Sequence, residues 1–237
     1  MRASDFAYLS DPLPLALAHR GGATYPPNVG LENSVAAFER AVALGYRYLE
    51  TDVHATRDGE VVAFHDAVLD RVSAASGEIA DLPWAAVREA RIGGREPVPL
   101  LGDLLDAFPD TRLNIDVKAP GALEPLVREV LRHRAHDRVC VASFSRGRLR
   151  AVRRALGPGV ASAAGQVGTA ALRFTPGLLS RLLHTPAPVL QIPAEHRVGG
   201  RTVTLVTPGL VRRAHALGKQ VHVWFHSWSR EDAAEMH

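Results

Sequence analysis

Three carboxylates stand at the ends of short apolar segments of the sequence. Glu50 and Asp52 are separated by one residue in LETDVH, and Asp116 has a similar place in NIDVK. If these segments are β-strands, alternation places Glu50 and Asp52 on one face, where Asp116 of a neighbouring strand can join them. Such carboxylates repel one another unless a cation lies between them, and oxygen ligands without cysteine favour Mg2+ or Ca2+ over zinc. The alternative, for a Glu-x-Asp pair alone, is ion pairing with an arginine such as Arg20.

Two histidines, one arginine and one lysine also stand at or next to the ends of apolar segments. His19 and His65 each end an apolar segment, so we expect both beside the acidic group. Imidazole gains and loses a proton near neutral pH, which suits a pair of acid–base catalysts. Arg20 and Lys118 add positive charge that, with a metal ion, suits a phosphate or phosphodiester. For an isolated histidine at a strand end, a structural hydrogen bond is the alternative role.

The elements that must position these side chains alternate between strand and helix. Apolar segments predict strands at 14–19, 46–54, 112–118, 138–143, 159–163, 188–192 and 220–225, with a hairpin partner at 61–65. Between them the sequence predicts helices over Glu32–Leu44, 83–91, 100–108, 122–134 and 146–156, and helices that begin after Thr175-Pro176, Thr207-Pro208 and Ser229. Seven strand–helix units without a linker predict a parallel α/β sheet, either a barrel or doubly wound. Polar residues at the strand ends suit a barrel mouth.

Composition and charge limit the class of protein. The chain of 237 residues is 46% hydrophobic and 22% charged, which excludes a disordered chain. Cys140 is the single cysteine, so intrachain disulfides and multi-cysteine metal sites are excluded. The net charge is only +3, and the sequence shows no basic groove pattern with interleaved aromatic residues. We therefore expect no nucleic-acid partner. We also expect a cytoplasmic protein, because the sequence shows neither a membrane-spanning apolar run nor a secretory signal.

Five blocks of residues occur in a specific order: AHRGG at 18–22, LENSVAAFERAVALG at 31–45, LETDVHATRDGEVVAFHDAVLDR at 49–71, VPLLGDLLDAFPDTRLNIDVK at 98–118 and VHVWF at 221–225. In these blocks the chain resembles the glycerophosphodiester phosphodiesterase family. The resemblance implies a (β/α)8 TIM barrel with a small insertion between strands two and three, in a single domain over 1–237. It also implies metal-dependent hydrolysis of small-molecule glycerophosphodiesters to sn-glycerol 3-phosphate and an alcohol, in glycerophospholipid metabolism.

The resemblance further implies roles for ten residues: His19 and His65 as the acid–base pair, Glu50, Asp52 and Asp116 as ligands of Mg2+ or Ca2+, and Arg20, Lys118, Glu32, Asn33 and Trp224 as substrate or phosphate contacts. Two of these roles have alternatives. Glu32 either contacts metal or substrate or, as an acid at a helix start, only orders its loop. Trp224 either forms an apolar wall for the glycerol or lipid moiety or is a core aromatic at the end of the barrel.

The sequence departs from the family pattern in three places. Asp116 stands where many members have glutamate, and PPNVGLEN is longer than the usual Pro-Glu-Asn form. The sequence ends at His237, within the helix after strand seven, so we expect an incomplete barrel without its eighth strand and a chain of low stability. Two alternatives stay open: a phospholipase D-like lipase acting on lysophospholipid or sphingomyelin, and a catalytically impaired binding protein. The sequence leaves open the head group, the cation and the oligomeric state.

Overall fold

Parallel strands followed by helices organise the described part of the chain, which comprises residues 1–175, 185–198 and 201–225 of a computed structural model. The described strands are β1 Leu17–Ala18, β2 Tyr48–Ala55, β3 Val61–Ala63, β4 Arg91–Ile92, β5 Glu96–Pro97, β6 Arg112–Val117, β7 Val139–Ala142, β8 Ala161–Ser162, β9 Val189–Pro193, β10 Glu195–Val198, β11 Arg201–Thr204 and β12 Gln220–Trp224. The described α-helices are α1 Val35–Ala43, α2 Trp84–Val87, α3 Leu101–Ala107, α4 Leu123–Arg132, α5 Arg146–Leu156, α6 Gln166–Phe174 and α7 Pro208–Ala216.

The sheet follows the order of the chain. Strands β1, β2, β6, β7 and β8 are parallel neighbours, and β9 pairs in parallel with β12. A bridge between Ala163 and Val189 connects the two parts. Among the described strands this order lacks the reversal of a doubly wound sheet, which excludes that alternative for them. The fold is an α/β TIM barrel, and the helices cover its outer face with apolar side chains such as Phe38, Leu104 and Leu126.

A small insertion, residues 61–100, lies between the second and third parallel strands. It begins with β3, which pairs antiparallel with β2 through Val53 and Ala63. Its apolar side chains form a separate buried cluster that includes Phe64, Ile79 and Ile92. Because this cluster packs independently of the barrel, the insertion can hold its polar residues at the end of β2. The predicted insertion is confirmed.

Residues 3–11 close the barrel at the end where the strands begin, which we call the floor. The rings of Tyr8 and Tyr48 meet edge to face at 5.3 Å, and Tyr48 Oη donates to the Tyr8 carbonyl at 2.8 Å. Arg112 Nη1 donates to Asp11 Oδ2 at 2.7 Å, and its guanidinium lies 5.3 Å from the Tyr48 ring. The floor is therefore closely packed and Arg112 is paired, as suits the N-terminal face of a barrel, while the buried Tyr8 hydroxyl has no hydrogen-bond partner.

The start of the first helix differs from the prediction of Glu32–Leu44. Asn33 adopts a left-handed backbone conformation with φ 59°, which interrupts a helix. The Ser34 hydroxyl then accepts from the Ala37 amide at 3.2 Å and begins α1 as its N-cap. Glu32 therefore lies two positions before the N-cap, so the predicted helix start at Glu32 was wrong.

Other predictions have mixed outcomes. The helix over 146–156 is confirmed as α5, whereas α6 and the β10–β11 hairpin were not predicted. The helices predicted after Thr175-Pro176 and after Ser229, and the question of an eighth strand, lie outside the described residues. Within the described ranges, none of the helices is both long enough and apolar enough to cross a membrane.

Candidate active site

The two central strands bring the predicted carboxylates to the end of the barrel where the strands finish, which we call the mouth. In the β2–β6 register Asp52 stands opposite Asp116, and Glu50 stands opposite Asn114. Asp52 is 2% exposed and Asp116 9% exposed. The two-residue period of a strand directs Glu50 and Asp52 to the same face, so the acidic group forms across one strand pair.

Cations offset the repulsion between these acids. Lys118 Nζ lies between two carboxylates, 2.8 Å from Asp52 Oδ1 and 2.9 Å from Asp116 Oδ2. Arg20 Nε lies 3.4 Å from Asp52 Oδ2, and the Arg20 amide donates to Glu50 Oε2 at 2.9 Å. Ion pairing, the alternative that the sequence left open for the acids, is thus present in the structure.

The site still holds more negative charge than its own cations satisfy. Burial raises the pKa of Glu50 well above its usual value, and the charges of Asp52 and Asp116 raise it further. Burial alone would lower the pKa of Lys118, but these same two charges outweigh burial and raise it. Asp116 Oδ1 is buried without a hydrogen-bond partner. A buried carboxylate oxygen without a partner is costly, and a cation would relieve that cost.

The chemistry of the donors fits a hard divalent cation. Glu50, Asp52 and Asp116 offer carboxylate oxygens, which Mg2+ and Ca2+ prefer. Across the described ranges, no three Asp, Glu, His or Cys side chains have the mutual spacing of metal ligands. The Lys118 ammonium lies between Asp52 and Asp116.

The two predicted histidines lie on separate segments at the mouth. His19 Nε2 is 3.8 Å from Glu50 Oε2, and the side chain is 47% exposed. Burial and then the charge of Arg20 lower the pKa of His19 below its usual value. His65 Nδ1 lies 2.6 Å from Asp66 Oδ1, and the His65 carbonyl is 3.1 Å from His54 Nε2. His54 and Asp66 were not predicted as site residues.

The loop after β1 has an unusual backbone. Arg20 adopts a left-handed conformation with φ 50°, which is uncommon for a residue with a side chain. This conformation directs the Arg20 amide to Glu50 and its guanidinium to Asp52 and Glu32. A Cβ on the next residue, Gly21, would lie 3.0 Å from the Ala37 Cβ, so the loop packs closely on α1. Strain of this kind is typical of functional sites.

Asn33 lies beneath the acids and not at the surface of the mouth. It is 1% exposed, and its Nδ2 lies 3.3 Å from Asp52 Oδ2. Its Oδ1 accepts a hydrogen bond from the Thr51 hydroxyl at 2.8 Å, and its backbone N–H donates to the Arg20 carbonyl at 2.9 Å. Asn33 therefore orients Asp52 and the Arg20 loop, and its predicted contact with the substrate stays a prediction.

Two arginines, Arg20 and Arg71, bind the carboxylate of Glu32. Arg20 Nη1 lies 3.3 Å from Glu32 Oε1, Arg71 Nη1 donates to Oε2 at 3.0 Å, and Arg71 Nη2 also bonds Oε1. Burial would raise the pKa of Glu32, but the Arg71 hydrogen bond and both charges lower it. With both oxygens bonded, Glu32 connects the insertion to the β1 loop.

The other half of the mouth carries aromatic and neutral polar groups. Trp224, at the end of β12, meets Phe144 edge to face at 6.5 Å. Phe144 is 56% exposed and was not predicted. Gln191 Nε2 donates to Asn114 Oδ1 at 2.6 Å inside the barrel. Trp224 thus lies at the rim, as predicted, and an exposed second ring continues its surface.

Some residues were missed. Arg71 bonds both Glu32 and Asp66, and its signal was present in the sequence as a basic residue five positions after Asp66. His133, which directly follows α4, was not predicted to be part of any cluster; its side chain is only 9% exposed and lies near Asp106 and Glu129.

Comparisons with known proteins match this chain to one family. The profile of the Glycerophosphoryl diester phosphodiesterase family matches residues 19–227. A protein of Mycobacterium tuberculosis (strain ATCC 25618 / H37Rv), named "Probable glycerophosphodiester phosphodiesterase 2", is 42% identical over 214 residues. The match covers 89% of this chain and 78% of that protein.

Solved structures show the same fold. A glycerophosphodiester phosphodiesterase from Agrobacterium tumefaciens str. C58 has a TM-score of 0.74 at 20% identity, over 94% of this chain and 92% of that chain. An Oleispira antarctica phosphodiesterase in complex with the product sn-glycerol-3-phosphate has a TM-score of 0.72 at 22% identity, over 94% of this chain and 88% of that chain. Because the matched profile spans the barrel from His19 through Trp224, the chain belongs to the glycerophosphoryl diester phosphodiesterase family and is a phosphoric diester hydrolase.

Proposed function

We propose that the chain hydrolyses glycerophosphodiesters to sn-glycerol 3-phosphate and an alcohol, and that it serves glycerophospholipid metabolism. The observation that carries this proposal is the meeting of Asp52, Asp116, Lys118 and Arg20 at the barrel mouth. Such a site combines carboxylates for a cation with donors for phosphate oxygens. Family membership and the product bound to the Oleispira antarctica neighbour support the choice of substrate.

We assign the divalent cation, Mg2+ or Ca2+, to Glu50, Asp52 and Asp116. The unsatisfied Asp116 Oδ1 and the raised pKa of Glu50 support this assignment. When bound, the cation supplies positive charge that polarises the phosphoryl oxygens. The three acids would hold it through oxygen atoms, and Asn33 orients Asp52.

We assign phosphate binding to Lys118 and Arg20. An ammonium group has three donors, and Lys118 directs two of them to Asp52 and Asp116, which leaves one for a phosphate oxygen. The Arg20 guanidinium bonds Glu32 through Nη1 and faces Asp52 through Nε, so Nη2 remains a donor. Both side chains are therefore held in place before the substrate binds.

We assign proton transfer to His19 and His65. One histidine removes a proton from the nucleophile as its oxygen bonds to phosphorus, and the other protonates the leaving oxygen as the second P–O bond breaks. The nucleophile is either water or the neighbouring glycerol hydroxyl. Trp224 and Phe144 supply an apolar wall for the departing group.

The test is release of glycerol 3-phosphate from glycerophosphocholine and glycerophosphoethanolamine with Mg2+, Ca2+ or EDTA. We expect activity with at least one cation, loss with EDTA and recovery on adding the metal again. Activity insensitive to EDTA would contradict the metal assignment. Cleavage of lysophosphatidylcholine in place of both substrates would favour the phospholipase D-like alternative, and binding without turnover would favour the impaired binding protein.

We further propose that the chain is a single domain that works in the cytoplasm. The parallel pairing of β1, β2, β6, β7 and β8 in chain order, and the bridge from Ala163 to Val189 of the β9–β12 pair, support a single domain. Cell fractionation with antibody detection tests the location. Recovery of the protein only from membranes or from the medium would contradict it.

A further inference from the structure

A continuous set of ion pairs connects the insertion to the mouth through Arg71. Arg71 Nη1 donates to Glu32 Oε2 at 3.0 Å, and Nη2 bonds the other oxygen of the same carboxylate. Arg71 Nε bonds Asp66 Oδ2. Asp66 Oδ1 in turn lies 2.6 Å from His65 Nδ1. One guanidinium therefore connects two carboxylates, and one of these holds a histidine.

The bond to Asp66 determines which nitrogen of His65 is available. A carboxylate accepts from a protonated Nδ1, which leaves the lone pair of the neutral ring on Nε2. Arg71 engages the second oxygen of Asp66, so the carboxylate cannot rotate away from the ring. His65 is thereby held with Nε2 as the nitrogen that can exchange a proton outside the pair.

The other end of the network fixes the insertion against the barrel. Glu32 also bonds Arg20 Nη1 at 3.3 Å, and Arg20 faces Asp52. His65 lies in the insertion, whereas Arg20 follows β1, so Arg71 and Glu32 connect the two segments. The positions of His65 and of the acidic group are then no longer independent.

The chemistry of arginine is required for this arrangement. Isolated ion pairs at a surface contribute little stability, and the Arg71 side chain is 46% exposed. A planar guanidinium, however, binds one carboxylate through two parallel bonds and still offers Nε to a second carboxylate. A lysine ammonium provides the charge without this fixed geometry. Arg71 therefore determines orientation more than folding stability.

We propose that Arg71 is a positioning residue that holds Asp66 and Glu32 so that His65 presents Nε2 to the substrate. This inference depends on the proposed function for its kinetic consequence. Its structural consequence, the orientation and tautomer of the His65 ring, is measurable without any substrate.

The kinetic test compares Arg71→Ala, Arg71→Lys, Asp66→Asn and the double variant Arg71→Ala/Asp66→Asn. Residues that orient a functional histidine typically contribute about 10- to 100-fold, so we expect Arg71→Ala to lower kcat by that factor with KM nearly unchanged. The double variant should lose no more than the worse single variant, because both act on His65. Arg71→Lys should stay close to Arg71→Ala. Additive losses, full recovery with lysine, or a change confined to KM would overturn the proposal.

The matched control is Arg88→Ala in the same insertion. Arg88 is exposed, and its Nε lies 3.4 Å from the carboxylate of the adjacent Glu89. This variant removes an arginine and an ion pair without touching His65, so kcat should stay within about twofold of the original. A loss equal to that of Arg71→Ala would show a general effect on the insertion and overturn the proposal.

Nitrogen NMR of the His65 ring separates the two proposals. For the neutral ring we expect the tautomer with the proton on Nδ1 in the unmodified protein. Asp66→Asn and Arg71→Ala should shift the ring towards a mixture, and Arg88→Ala should not. If the protein shows these shifts but no hydrolysis, the proposed function fails and the role of Arg71 stands. If the protein hydrolyses the substrate and the His65 tautomer is the same in Arg71→Ala as in the unmodified protein, the proposed role of Arg71 is contradicted and the proposed function stands.

Discussion

The mouth and the floor of the barrel are built by the same strands but differ in the charge of the buried groups that lack a hydrogen-bond partner. At the floor such a group is the neutral Tyr8 hydroxyl, and at the mouth it is a carboxylate oxygen of Asp116. At the floor, β2 and β6 contribute Tyr48 and Arg112, and Arg112 pairs with Asp11 at 2.7 Å. At the mouth they contribute Asp52 and Asp116, and one buried oxygen of Asp116 has no hydrogen-bond partner. Burial also raises the pKa of Glu50 at the mouth.

This difference separates stability from activity. Charges that are fully paired inside a protein add no reactivity, whereas unsatisfied ones are retained when a ligand completes them. In TIM barrels the C-terminal ends of the strands carry the chemistry and the N-terminal ends carry stability. We therefore expect substitutions at the mouth to reduce turnover and substitutions at the floor to reduce the free energy of unfolding.

The largest expected effect is at the mouth. His19→Ala removes one of the two proposed proton-transfer groups, so we expect kcat to fall by about 1000-fold. Because His19 is 47% exposed, the melting temperature should change little. Steady-state kinetics and a thermal melt measure both quantities. His215→Ala, an exposed histidine on α7, is the control and should retain full activity; equal activity of both variants would contradict the assignment.

The second prediction concerns the floor. Tyr8 is 1% exposed, so Tyr8→Ala leaves a cavity beside Tyr48 and should lower the free energy of unfolding by about 3 kcal/mol. Denaturant titration measures the loss, and kcat of the remaining folded protein should be unchanged. Tyr46→Ala removes a tyrosine that is 37% exposed and should cost far less. Equal losses from the two variants would show that the floor is not specially packed.

Glu50→Gln tests the comparison further, because we expect it to lower kcat/KM without lowering the free energy of unfolding. The amide keeps the shape of the side chain but cannot supply a charged ligand, so we expect kcat/KM to fall by about 100-fold. The unfolding free energy should stay equal or rise, since the variant removes a buried charge beside Asp52 and Asp116. A loss of stability above about 1 kcal/mol would instead make Glu50 a structural residue.

The smallest expected effect is again at the floor. Tyr48→Phe removes the hydroxyl that donates to the Tyr8 carbonyl at 2.8 Å, and one such hydrogen bond contributes about 1 kcal/mol. The catalytic rate should not change. Tyr46→Phe serves as the exposed control. A larger loss of kcat than of stability in Tyr48→Phe would remove the distinction between floor and mouth.

Much of the fold was predictable because its signals are local. The helix over 146–156 was correct at both ends, since Ser145 caps it and Gly157 follows its last residue. The start of α1 was wrong because Asn33 takes a left-handed backbone conformation, which is held by contacts to Arg20 and Asp52. Such contacts join distant parts of the chain and leave no periodic pattern.

The residues of the candidate site also fall into a group that was predicted from the sequence and a group that was not. The sequence indicated which acids, histidines and cations stand at strand ends, because alternation along a strand depends on neighbouring residues only. It did not reveal Asp66 or Arg71 as partners of the site. Arg71 bonds Glu32 across 39 positions, and a contact at that separation depends on how the insertion packs against the barrel.

The residue types and their two-residue spacing thus determined, from the sequence alone, the chemistry available at the mouth. Only the tertiary structure decided that the Lys118 ammonium lies between Asp52 and Asp116 and that Arg20 and Arg71 share Glu32. The physical reason is that attraction between charges depends on distance in space, which the packing of strands and insertion sets.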